Sequence, residues 1–164
     1  MATVNKNLSD YTKATMPNAS DMRFGIVVSE WNEEITEALA IGATQAFIDN
    51  GCEAHNIIRV NVPGSYELVY GAKLMVEQLD LDAVVVIGSV VQGETKHFDF
   101  VCDAVTHGIK DLNVIQDTPI VFCLLTDNTW QQAKDRSGGK HGNKGIECAV
   151  AAIKMGALRE ALTQ

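Results

Sequence analysis

The sequence predicts an α/β domain built on a four-stranded parallel sheet. Two observations carry this prediction: four short apolar runs are typical of strands, and segments with apolar residues at helical spacing separate them. The chain of 164 residues is long enough for one domain with a substantial core. Because parallel strands need crossover connections, we expect helices on both faces of the sheet.

The first half of the chain contains two strand–helix units after a polar segment. Residues 1–22 are polar and aperiodic, and we expect an N-terminal arm there. The apolar run Phe24–Val28 predicts a strand, and helical spacing over Glu33–Asn50 predicts the first helix. Alternating apolar and polar residues over Ile58–Val62 predict an edge strand with one wet face. A second helix follows over Leu68–Leu79.

The second half repeats the alternation. Ala83–Ile87 is continuously apolar, as a central parallel strand is, and a loop is predicted over Gly88–Lys96. Three-and-four spacing predicts a helix over Phe98–Leu112. Pro119–Leu125 is also apolar throughout, so we expect a fourth strand that is central or covered. The remaining segments are a short helix around Thr129–Asp135, the glycine-rich Ser137–Gly145 and a last helix rich in small residues.

The composition excludes several classes of function. Acidic residues outnumber basic ones 21 to 13, for a formal net charge of −8, so we expect neither nucleic-acid nor membrane partners. The four cysteines form no CxxC pair, which argues against a zinc site or a disulfide framework and favours a cytoplasmic protein. No apolar run matches a membrane span and no secretion signal is evident. We expect residues 23–164 to form the single domain.

Four loops follow the carboxyl ends of the predicted strands, which is where parallel sheets bind ligands. These loops are Ser29–Asn32, Pro63–Glu67, Gly88–His97 and Thr126–Asn128. Polar residues, glycine and proline are concentrated in these loops, so the sequence predicts the functional site at this edge of the sheet.

The third loop resembles a phosphate-binding loop with one critical change. Gly88–Thr95 nearly matches the pattern G-x-x-x-x-G-K-[ST], but Glu94 stands at the lysine position and would repel phosphates. This change argues against an NTPase. The backbone amides of Gly93, Glu94 and Thr95 are still suited to one phosphate at a helix N-terminus. A plain strand-to-helix loop explains the segment equally well.

The segment Arg136–Gly145 places four potential cations among four glycines at the start of the last helix. On an acidic protein it is the one concentrated basic segment. Arginine offers a bidentate fork to phosphate, and glycines let backbone amides converge. We favour an anion site over the alternative, a solvent-exposed loop with charges at a helix end.

Single residues near the predicted loops suggest further chemistry. His97 opens a helix at the mouth of the third loop, and an imidazole there is suited to proton transfer near neutral pH. Trp31 follows the first strand and is a candidate platform for a planar ligand. Ser65 and Glu67 are placed either to hydrogen-bond a polyol or to cap the second helix. Phe122, inside the fourth strand, is a core residue on sequence grounds alone.

At these same segments the sequence resembles the lumazine synthase family. The matching stretches are Gly25–Asn32, Val62–Leu68, Gly88–Cys102 and Arg136–Gly145. The resemblance implies a flavodoxin-like, three-layer αβα fold. It also implies condensation of 5-amino-6-(D-ribitylamino)uracil with 3,4-dihydroxy-2-butanone 4-phosphate to 6,7-dimethyl-8-ribityllumazine, the penultimate step of riboflavin biosynthesis, without a metal or redox cofactor.

The resemblance implies a role for each matching residue. His97 would transfer protons, and Phe122 would enter the active site of an adjacent subunit. Trp31 stands where the family usually has Phe, which preserves stacking. The residues implied to contact the pyrimidine and its ribityl chain are Trp31, Ser65, Tyr66, Glu67, Val90, Val91 and Lys144. Those implied to bind the phosphate are Gly93, Glu94, Thr95 and Arg136.

The resemblance also implies an oligomer. We expect a homopentamer, with twelve pentamers in a 60-subunit icosahedral shell because Arg136–Gly145 is compact, and with riboflavin synthase as a partner. The N-terminal arm is expected to add a strand to a neighbouring subunit. Two alternatives stay open: a protein that binds flavin or lumazine without turnover, and a shell subunit with a mainly structural role. A phospho-acceptor signalling domain is discounted, because Gly88 and Ser89 follow the third strand where acidic residues are needed.

Overall fold

A parallel sheet of four strands lies at the centre of the computed structural model, which describes residues 7–163. The strand order is β2-β1-β3-β4, and all three pairings are parallel. The strands are β1 (Phe24–Ser29), β2 (Ile57–Val62), β3 (Ala83–Val91) and β4 (Ile120–Asp127). The helices are α1 (Glu33–Asp49), α2 (Leu68–Gln78), α3 (His97–Ile115), α4 (Trp130–Arg136) and α5 (Lys144–Thr163). A short hairpin is formed by β5 (Ser137–Gly139) and β6 (Gly142–Asn143).

Helices cover both faces of the sheet, which confirms the three-layer flavodoxin-like α/β fold. Successive side chains of a strand point to opposite faces, so each central strand serves two cores. Val85 and Ile87 of β3 pack with α1 and α5, whereas Val84 and Val86 pack with α2 and α3. All four are fully buried, as the apolar run predicted for a central strand.

The layer of α1 and α5 depends on a glycine. A Cβ at Gly145 would lie 2.0 Å from the carbonyl oxygen of Leu39, so only glycine lets the two helices approach this closely. Beside it, Asn143 Nδ2 donates to the Ala38 carbonyl at 2.9 Å. The start of α5 is thereby held against the middle of α1.

β3 extends beyond its predicted end, and β4 matches the second of its two predicted alternatives, a covered strand. β3 does not end at Ile87: Gly88–Val91, expected to be a loop, continues the strand because it pairs with Leu124–Asp127 of β4. This extended pairing is incompatible with a phosphate-wrapping loop at Gly88. β4 is not central but lies at the sheet edge, and only its faces are covered by helices of the described chain. The prediction that β2 is an edge strand is confirmed.

The glycine-rich segment folds into the hairpin of β5 and β6 rather than an open loop, with positive φ at Gly138 and Gly142. Part of the predicted arm packs on this hairpin: Leu8 N donates to His141 O at 2.8 Å, and Asn143 N donates to Ser9 Oγ at 2.9 Å. Residues 7–22 form no strand within the chain, and residues 1–6 of the arm lie outside the described residues. No helix within residues 7–163 combines the length and apolarity needed to cross a membrane.

Candidate active site

Three of the four predicted loops converge on one cavity of about 780 Å³ at the carboxyl end of the sheet. This volume suits a small organic ligand. The predicted site residues that line it are Trp31, Ser65, Tyr66, Glu67, Val90, Val91, Gly93, Thr95 and His97. Five lining residues were not singled out from the sequence: Asn32, Gly64 and Ser89 lie in the predicted loops, and Phe98 and Val101 lie on α3. The fourth loop, Thr126–Asn128, does not reach this cavity.

The corner between β1 and α1 is fixed by Asn32. Its backbone is left-handed (φ 61°, ψ 44°), a conformation that asparagine tolerates better than most residues, and no other non-glycine residue in the described chain has positive φ. Asn32 Nδ2 donates to the carbonyl of Ser89 at 2.8 Å, which ties this corner to β3. Trp31, just before it, is 71% exposed at the cavity wall, so its indole is available to a ligand.

The loop after β2 lies over β3 because Gly88 has no side chain. A Cβ at Gly88 would stand only 2.8 Å from Ser65 Oγ, so the loop's close approach requires glycine. Glu67 occupies the N-cap position of α2, but no side chain makes a capping hydrogen bond there. The capping alternative for Ser65 and Glu67 is therefore wrong, and both residues line the cavity instead.

The loop that leads into α3 carries free backbone amides, and two of its residues, Gly93 and Thr95, line the cavity. The N–H groups of Gly93, Glu94 and Thr95 donate to no group of the described chain, and space is open around Gly93. An unpaired helix start attracts anions. His97, the first residue of α3, lies at the cavity wall, and its N–H approaches Thr95 Oγ1 at 3.4 Å. Glu94 is exposed and does not line the cavity.

Arg136 is held at the end of β4, outside the cavity. Its Nη1 donates to the Gln132 carbonyl at 2.9 Å and lies 3.5 Å from Asp127 Oδ1. Burial raises the pKa of Asp127, and the charge of Arg136 only partly opposes this shift. Ala133 of α4 lies in the core that α1 and α5 form on one face of the sheet, so the helix that carries Arg136 lies opposite α3, which begins with His97.

Phe122 and Lys144 also lie outside the cavity. Lys144 Nζ contacts Glu147 at 2.8 Å; burial alone would lower the pKa of Lys144, but this hydrogen bond keeps it raised. Phe122 is half-buried on β4, on the side of α2 and α3. Within the described residues, Arg136, Lys140 and Lys144 face three different carboxylates, which belong to Asp127, Asp135 and Glu147. Within residues 7–163, no three metal-binding side chains cluster.

The parallel sheet, with a cavity of mixed polarity beyond its carboxyl edge, defines a small-molecule-binding α/β protein. The family model described as 6,7-dimethyl-8-ribityllumazine synthase matches residues 21–160, and the chain belongs to this family. It is accordingly an enzyme of the transferase class.

Curated relatives agree over nearly the full chain. A 6,7-dimethyl-8-ribityllumazine synthase of Christiangramia forsetii is 65% identical over 98% of this chain and 96% of its own. One of Flavobacterium johnsoniae is 66% identical over 98% of this chain and 84% of its own. One of Porphyromonas gingivalis is 50% identical over 96% and 98%, respectively. These similarities confirm the family that the sequence motifs indicated.

Proposed function

We propose that the enzyme condenses 5-amino-6-(D-ribitylamino)uracil with 3,4-dihydroxy-2-butanone 4-phosphate, releasing phosphate and water, as the penultimate step of riboflavin biosynthesis. One observation carries this proposal in a chain of this family. A single cavity joins an exposed aromatic side chain, a histidine and unpaired amides at a helix N-terminus. These are the groups needed to bind a planar amine, to move protons and to bind a phosphate.

The wall made by the first two loops is suited to the ribitylaminouracil. The indole of Trp31 offers a face on which the pyrimidine stacks, and Val90 and Val91 supply apolar surface beside it. Ser65 and Glu67 provide a hydroxyl and a carboxylate that are free of capping bonds, so both are available to the ribityl hydroxyls. Tyr66, 63% exposed, contributes to the same wall.

The start of α3 is suited to the phosphate and to proton transfer. The amides of Gly93, Glu94 and Thr95 stabilise the phosphate before and during its departure as an anion. His97, two residues after Thr95 at the start of α3, relays protons as the amine and ketone form an imine with loss of water and as the ring closes with loss of a second water. Holding the two substrates side by side supplies much of the acceleration.

Phe122, Arg136 and Lys144 complete the cavity of an adjacent subunit in this proposal. Support comes from their position: all three lie outside the cavity of their own chain, on or near the edge strand β4. The test mixes chains carrying His97→Ala with chains carrying Arg136→Ala by co-refolding. If the site is shared, a cavity with His97 from an Arg136→Ala chain and Arg136 from a neighbouring His97→Ala chain is active, and about one quarter of the cavities have this combination. Assembled mixtures without recovery would contradict a shared site.

The assembly proposed is a homopentamer, with twelve pentamers in a 60-subunit shell that can enclose riboflavin synthase. The tight β5–β6 hairpin supports this, because it leaves the segment before α5 compact. With chains of 17.8 kDa, light scattering should give about 1.07 MDa for the shell and about 89 kDa for a free pentamer. Co-purification of riboflavin synthase activity with the large species tests the partner.

The reaction is tested by a steady-state assay with both substrates, in which lumazine fluorescence and inorganic phosphate are followed together. Equal rates of formation are expected. Tight flavin binding without turnover by the same preparation would instead favour a binding protein, for which the exposed Trp31 is the one specific argument.

A further inference from the structure

Asp127 is a buried carboxylate that none of the roles above uses. Its side chain is 8% exposed, and its one ionic contact with the described residues, from Oδ1 to Arg136 Nη1, is long at 3.5 Å. Its second oxygen, Oδ2, is buried and has no hydrogen-bond partner in the described chain. A buried carboxylate with incomplete hydrogen bonding lowers the stability of the folded state, so a stabilising role does not explain Asp127.

The contacts of Arg136 show what this carboxylate does. Both neighbours of the guanidinium, Asp127 and the Gln132 carbonyl, approach the same nitrogen, Nη1. No group of the described chain accepts a hydrogen bond from Nε or Nη2. These two nitrogens form the fork that binds a phosphate through two parallel hydrogen bonds.

The platform beneath Arg136 is itself fixed. Thr129 and Gln132 form a reciprocal capping box at the start of α4, and Gln132 Oε1 also accepts from Asn128 N at 2.9 Å. Asp127 ends β4 immediately before this cap. The carboxylate and the carbonyl that hold Nη1 therefore stand on a rigid strand-to-helix corner, and Arg136 loses little further freedom when it binds an anion.

We propose that Asp127 is a positioning residue that holds Arg136 by Nη1 and leaves its Nε–Nη2 edge free for the phosphate of the substrate. The inference rests on the proposed function, because it deepens the role given there to Arg136. The pairing requires ionised Asp127. Burial raises the pKa of this carboxyl, and Arg136 is the charged group of the described chain that acts on it, so acid weakens the hold.

The test uses the assembled enzyme and the isosteric change Asp127→Asn. The KM for the butanone phosphate should rise about five- to tenfold, because the lost charged contact no longer orients the guanidinium. The turnover number and the KM for the pyrimidine should stay within about twofold. The matched control is Asp135→Asn, the same charge change on α4 at a residue whose carboxylate meets Lys140 and Gln131 instead. That control should leave all three constants unchanged.

Two further readouts separate positioning from a structural role. The ratio of the variant's KM for the butanone phosphate to the wild-type KM should fall toward one as the pH is lowered through the raised pKa of Asp127, because the wild-type carboxylate then becomes protonated. In the Arg136→Ala background, Asp127→Asn should have no further effect on this KM.

A KM for the phosphate substrate that is unchanged by Asp127→Asn but raised by Arg136→Ala would overturn the inference and leave the proposed function intact. A ratio that does not change with pH would also overturn it. A wild-type enzyme without turnover, or Arg136→Ala without effect on this KM, would instead count against the proposed function.

Discussion

Replacing Gly88 with alanine places a methyl group between β3 and the loop that carries Ser65. The new Cβ would lie 2.6 Å from Leu124 Cδ1 and 2.8 Å from both Leu68 Cδ1 and Ser65 Oγ, against 3.4–4 Å for an ordinary contact. These atoms must therefore retreat by about 0.6–0.8 Å. Overpacking of this kind costs about 1–3 kcal/mol of unfolding free energy. Displacing Ser65 should also raise the KM for the pyrimidine about tenfold.

The matched control is Gly25→Ala, because Gly25 faces the same core from β1 at the opposite end of the sheet. Its Cβ would meet the flexible ends of Leu81 and Met75 at 3.0 Å, so stability should fall by a smaller amount. Urea denaturation measures the free energies of unfolding, and steady-state kinetics measures both KM values. If Gly88→Ala lowers stability but leaves the KM for the pyrimidine unchanged, the loop held by Gly88 is not part of the binding wall.

Three further results are expected. His97→Ala should lower the turnover number about 100-fold or more while the oligomer seen by light scattering stays intact; undiminished turnover at saturating substrate would remove the proton-transfer role. Gly145→Ala should lower the free energy of unfolding by several kcal/mol or prevent folding, because the new Cβ would lie 2.0 Å from Leu39 O. A denaturation midpoint equal to that of the wild type would contradict the close contact between the two helices. Burial raises the pKa of Asp127 above its ordinary 3.8, so the folded state favours the protonated carboxyl group. The favourable contribution of this group to stability is complete below pH 3.8 and is lost as the pH rises through the folded-state pKa. Asp127→Asn should therefore gain stability relative to the wild type at pH 7 but not at pH 3, whereas a constant difference across this range would refute the burial effect.

Periodicity predicted the fold because each apolar run is dictated by local burial. Strand ends were less accurate: Gly88 looks like a loop signal, yet pairing with β4 carries β3 on to Val91. The apolar composition of β4 left open a central or a covered strand, and the structure has the second: β4 lies at the edge of the sheet with both faces covered. Apolar residues report burial of a strand's faces, which α3 and α5 provide here, and this burial does not distinguish an edge strand from a central one. The hairpin in Ser137–Gly145 was missed because two- and three-residue strands have no periodicity.

The sequence predicted those parts of the site that follow directly from where the strands end. The loops carrying Trp31, Ser65 and His97 meet because carboxyl ends of parallel strands share an edge. Asn32 was missed, although an asparagine after a strand is itself a signal for a left-handed corner. Arg136 was expected to form an anion site from local charge density, which does not show that Asp127 lies beside it. A tertiary contact such as that between Arg136 and Asp127 cannot be predicted from the periodicity of either segment.

The outer edge of β4 has a kinetic consequence. At its start the Asn113 side chain bonds both the N–H and the C=O of Ile120, and beyond Ile120 this edge pairs with no strand of the described chain. A row of free N–H and C=O groups on an apolar strand is a template for any extended chain that meets it. β2, at the other edge, carries the ion pair of Arg59 with Glu37, whereas β4 has no charged side chain before Asp127. A newly folded monomer is therefore exposed to two competing reactions, ordered docking and irreversible association. Refolding yield should fall as chain concentration rises wherever misdirected pairing outruns assembly.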